Sequence, residues 1–106
     1  KTRTNYLRAM RSNEAKPLKA AIQQFIRAHR MQARLDEVDV TKAWHAAFGS
    51  YVERQTRSIR LQEGGKLWVK LDSGPLKEEL AMSKGQIVER LNEELGRKIV
   101  HELIIQ

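Results

Sequence analysis

No cysteine occurs in the 106 residues. That excludes disulfides and thiolate metal sites and fits a reducing, cytoplasmic setting. No apolar run approaches the roughly 18 residues needed to cross a bilayer, so no membrane role is expected. The first residues are polar and basic and do not form a signal peptide. The three histidines, His29, His45 and His101, have no metal-ligand spacing relative to one another. Glu78-Glu79 and Glu93-Glu94 are adjacent pairs that diverge on helix surfaces, and Ser83 has no context for activation. Catalysis is therefore not expected, and neither is a cofactor or a small-molecule substrate. Acidic residues are also scarce: 13 Asp and Glu stand against 20 Lys and Arg, a net charge of +7. Such an excess favours an anionic partner, with an inert basic surface as the plain alternative.

The length suits one domain with a single core. Residues 1–16 carry Lys1, Arg3, Arg8, Arg11 and Lys16 against Glu14 alone. They read either as a basic arm ahead of a domain over 17–106, or as a helix packed on it through Tyr6, Leu7 and Met10. Pro17 suits a first helical turn. Leu18, Ala21, Ile22, Phe25, Ile26 and His29 then recur at helical spacing and predict an amphipathic helix to about Met31, with His29 packed beside the apolar stripe. Asp36–Asp39 reads as a connecting segment and Asp39 as an N-cap. Val40, Trp44, Ala47, Phe48, Tyr51 and Val52 predict a second helix to Gln55, with Trp44 in the core. Gly49 inside it costs about 1 kcal/mol relative to Ala, so either something packs against it or the helix bends there.

From Arg57 to Gln62 apolar and polar residues alternate, and Glu63-Gly64-Gly65 forms a tight turn. Lacking a GxxxxGK[ST] pattern, this turn is not a phosphate loop. Lys66–Asp72 is the returning strand: Leu67, Val69 and Leu71 point to a core, while Trp68 and Lys70 point away. Ser73 and Pro75 open a helix. Met82–Gly85 interrupts its stripe, and Ser83 with Gln86 forms a candidate capping box for a new helix. Gly96 suits a C-cap, and Ile99–Ile105 closes the chain as a strand.

A strand, a helix and a second strand in one sheet should make a right-handed parallel crossover. The expected fold is a two-layer α+β domain of order α-α-β-β-α(kinked)-β, with a three-stranded mixed sheet and helices on one face. The open face would then carry Arg60, Trp68 and Lys70. Bases stack on an aromatic ring while cations hold phosphates, so this face is a candidate nucleic-acid platform. Two other readings stay open for Trp68: cover by the basic arm, and an oligomer contact.

With these elements in place, the chain resembles the bacterial DciA family, which supplies loaders of the replicative helicase DnaB. The likeness rests on Trp44 with Phe48-Gly49, Leu67-Trp68-Val69 after the hairpin, Leu76–Leu80, and Leu91-Asn92 with Leu95-Gly96. It runs from about Pro17 to the end. The resemblance implies a KH-like fold, binding to DNA (single-stranded or forked) and contact with DnaB. KH domains carry a GxxG loop between two helices; here Ser83-Lys84-Gly85-Gln86 stands in that place with one glycine, and Lys84 at a helix N-terminus remains able to hold a phosphate. The candidate nucleic-acid residues are thus Arg60, Trp68, Lys70, Lys84, Gly85, Arg3, Arg8 and Arg11. A module that binds only protein, and an RNA-binding KH relative, are the alternatives.

Overall fold

The computed structural model describes residues 12–106, with side-chain surroundings from residue 15 onward. The expected basic residues Arg3, Arg8 and Arg11 lie outside the described residues. Six elements follow in order: α1 (Ser12–Gln55), β1 (Thr56–Gln62), β2 (Lys66–Leu71), α2 (Gly74–Ala81), α3 (Lys84–Leu95) and β3 (Glu102–Ile105). Two compact units divide the chain between Gln32 and Ala33.

In the first unit every described side chain from Ala15 to Gln32 is exposed. The residues from Pro17 to Met31 are helical, but the helix begins at Ser12, so Pro17 lies inside it and not in its first turn, and it does not stop at Met31. Its apolar stripe is not packed either, with Ile22 51% and Phe25 72% exposed. His29 is not a packed histidine. It stands in solvent, stacked on Phe25 with ring centroids 6.3 Å apart.

The second unit is an α+β domain. Its sheet has the order β1-β2-β3, with β1 antiparallel and β3 parallel to the central β2. This is the mixed sheet that the crossover rule requires. Leu67, Val69 and Leu71 of β2 are buried with Val40, Ala43, Trp44 and Val52 of α1, Leu76 and Leu80 of α2, Ile87 and Leu91 of α3, and Val100 and Leu103. Each fully buried aliphatic side chain contributes about 1.5–3 kcal/mol, and these residues come from every element except β1. Trp44 is wholly buried, and its indole N–H donates to Thr56 Oγ1 at 3.1 Å. Thr56 Oγ1 in turn donates to the Val52 carbonyl at 2.6 Å. The largest core side chain therefore buries no unpaired donor.

No connector exists at Asp36–Asp39; those residues are helical and Asp39 is not an N-cap. Their carboxylates are held by residues far along the chain. Arg97 Nη2 donates to Asp36 Oδ1 at 3.1 Å and to Asp39 Oδ2 at 3.3 Å, and the Leu61 amide donates to Glu37 Oε2 at 2.9 Å. The first helical region breaks at Gly49 instead, with φ 82° and ψ −173°. Of the two expectations for Gly49 the bend is the correct one, since nothing lies within 4 Å of where a Cβ would stand. The break resets the helical phase: Val52 stays in the core and Tyr51, expected in the same stripe, is exposed.

Gly64 and Gly65 both take positive φ, at 80° and 73°, as a tight hairpin turn requires. Gly65 has a second constraint, because a Cβ there would come within 2.6 Å of the Ile99 carbonyl and collide with the His101 ring. Ser73 caps α2, accepting from the Leu76 amide at 3.3 Å. Ser83 occupies the N-cap of α3 but makes no side-chain cap hydrogen bond, so the expected capping box does not form. Gly96 closes α3 in the left-handed conformation, φ 73°. The last strand is shorter than the Ile99–Ile105 expected. Ile99 and Val100 leave the ladder because Asn92 binds their backbone: its Oδ1 accepts from both amides and its Nδ2 donates to the Val100 carbonyl, at 2.8–3.0 Å.

Candidate nucleic-acid interface

Helices cover one face of the sheet, so alternation along β1 and β2 sets what the other face shows. In β1, Ile59 and Leu61 pack against the core while Ser58, Arg60 and Gln62 are exposed. In β2, Lys66 and Lys70 are exposed and Trp68 is half-buried. The register sets Trp68 directly between Arg60 of β1 and Ile104 of β3. Lys66 stands in the same way between Gln62 and Glu102, and Ser58 is opposite Lys70. Arg60, Trp68 and Lys70 are therefore brought onto one surface, as alternation predicts.

Two features limit that surface as a platform. The Arg60 guanidinium, 74% exposed, has its Nε 3.8 Å from Glu37 Oε2, so its charge is partly offset by α1. The Trp68 indole N–H is buried and has no hydrogen-bond acceptor among the described residues. Leaving such a donor unpaired costs about 1–3 kcal/mol. Glu37, Arg60, Leu61, Gln62, Trp68 and Gln106 line a shallow concavity at this corner of the sheet. Glu37 was not foreseen as part of the site, because its role depends on a segment expected to be a connector.

Lys84 and Gly85 are exposed in the first turn of α3. That helix belongs to the layer on the other side of the sheet, its Ile87 and Leu91 in the core. The structure thus divides the predicted residues between two places, the open sheet face and the α2–α3 turn. With no side-chain cap from Ser83, the leading amides of α3 remain free to meet an anion. Among the described residues no cluster of His, Asp or Glu is arranged to hold a metal ion, and no helix is long and apolar enough to cross a membrane.

The family model described as Dna[CI] antecedent, DciA, matches residues 17–105. The chain belongs to the DciA family. The match takes in both candidate places and the Trp44, Gly49, Asn92 and Gly96 positions that shape this DciA domain. No curated protein matches the chain.

Proposed function

We propose that this DciA-family chain is a non-enzymatic cytoplasmic adaptor of DNA replication that binds single-stranded or forked DNA and engages the replicative helicase DnaB. The family match over residues 17–105 is the observation that carries the helicase part. The DNA part is supported by the net charge of +7 and by the row of Arg60, Trp68 and Lys70 on the sheet face that alternation turns away from Leu67, Val69 and Leu71. The order α-β-β-α-α-β with a parallel β2–β3 pair supports the KH-like likeness. In this reading Lys70 and Arg60 take phosphates, Trp68 meets a base edge or face, and Lys84 with Gly85 holds a further phosphate. In the same reading residues 1–16 serve as a basic arm ahead of the domain over 17–106.

Fluorescence titration with an oligothymidylate tests the DNA part, because Trp44 is buried and any quenching reports Trp68. Neutralising three phosphates through Arg60, Lys70 and Lys84 predicts a log–log salt slope of about −2 on single strands. Each Lys→Ala or Arg→Ala change should flatten it by about 0.7. A salt-independent response refutes the DNA part and leaves the second reading, a module that binds only protein. That reading draws support from Glu37 beside Arg60 and from the buried indole N–H. Co-elution with purified DnaB tests the helicase part separately.

A further inference from the structure

From Ala15 to Gln32 the helix has no Asp or Glu and carries Lys16, Lys19, Arg27 and Arg30. At about 100° per residue, these four cations fall within about 80° of one another and form a straight rail about 21 Å long. Leu18, Ile22, Phe25, Ile26 and His29 occupy the adjoining sector. All are exposed, and Gln23, Ile26, Arg27 and Arg30 line a shallow depression where the two sectors meet. The opposite border of the stripe is small or neutral, with Ala21, Gln24 and Ala28.

We infer that this face docks an amphipathic helix of a partner protein, apolar along its centre and acidic along one border. Four apolar side chains in the open exceed what a phosphate backbone uses, and only Phe25 among them has a ring to stack on a base. A helix lying in an anionic membrane surface meets headgroups along both borders of its apolar face; here cations line one border only. Two copies of this chain would set eight cations on helices about 8–10 Å apart with no anion in either segment. A partner helix fits both sectors at once: its apolar seam covers Leu18, Ile22, Phe25 and Ile26, the alanines permit close approach, and its carboxylates meet the rail. This inference is independent of the nucleic-acid reading and can fail without it.

The test uses the full chain and two synthetic 21-residue amphipathic peptides with the same leucine seam, one flanked by Glu and the other by Lys. Calorimetric titration should show the Glu peptide binding at least about tenfold more tightly than the Lys peptide. Phe25→Ala, and the double change Arg27→Glu with Arg30→Glu, should each weaken it about tenfold. Circular dichroism and the thermal midpoint should not move, because these side chains are exposed. Equal binding of the two peptides, or indifference to the variants, overturns the inference. So does binding to phosphatidylserine vesicles or oligothymidylate that Phe25→Ala abolishes while neither peptide binds. A dimer in sedimentation that Phe25→Ala dissociates would assign the stripe to a second copy and overturn it as well.

Discussion

Replacing Asn92 with alanine should cost far more than its position on a helix surface suggests. Its amide makes three hydrogen bonds to the backbone of Ile99 and Val100, at 3.0, 2.9 and 2.8 Å. Each contributes about 0.5–1.5 kcal/mol net; alanine leaves the Val100 amide and carbonyl without their partner, while the Ile99 amide keeps only the Arg97 carbonyl at 3.2 Å. The sum is about 3 kcal/mol, a large share of the roughly 5–15 kcal/mol that holds a domain folded. The loss should lower the thermal midpoint by about 12–24 °C. Urea titration followed by far-UV circular dichroism measures it directly, with the slope unchanged if only stability is affected. Asn92→Asp is the control. It keeps acceptors for both amides but sets a carboxylate oxygen against the Val100 carbonyl, so its loss should fall between wild type and alanine. An alanine variant that loses under about 1 kcal/mol, or an aspartate variant as damaged as alanine, would refute this account of how β3 is aligned.

Gly49→Ala should destabilise by about 1–3 kcal/mol, wholly through backbone strain at φ 82°, since the space around it is open; thermal melts check this. Gly65→Ala should be worse than Gly64→Ala, because only at Gly65 would the added methyl meet Ile99 and His101; paired urea titrations of the two variants decide it. Glu37→Gln retains an acceptor for the Leu61 amide but frees Arg60 from a carboxylate 3.8 Å away. It should raise oligothymidylate affinity about two- to fivefold with little change in stability, and a fall in affinity would count against Arg60 as a phosphate contact.

Much of the domain is legible in the sequence wherever one local rule decides. Alternation in β2 gives the buried Leu67, Val69 and Leu71 and the outward Trp68. Adjacent glycines give the hairpin, and the crossover rule gives the parallel pairing of β2 with β3. The sequence misleads at Asp36–Asp39 because those residues prefer helix caps in isolation. Their partners, Arg97 and the Leu61 amide, lie 24 to 61 residues away and keep the helix intact. The first apolar stripe misleads for a different reason: periodicity reports which side of a helix is apolar, not whether anything covers it. Trp68 lies between these cases. Its direction follows from the strand, whereas its half-burial is not given by alternation. The site is legible as a set of residue types and not as a shape.

The hydrogen bond from the Leu61 amide to Glu37 has one more consequence. β1 is an outer strand of the sheet, and outer strands template the addition of another chain through their unpaired amides. With Leu61 already bound by a carboxylate from the helix layer, an incoming strand cannot lengthen the sheet on that side until Glu37 is displaced. Sheet-to-sheet growth is thereby discouraged at β1, and β3, only four residues long, offers little length on the other side. Assembly of this domain with other chains is therefore steered toward side-chain surfaces and away from continuation of the sheet.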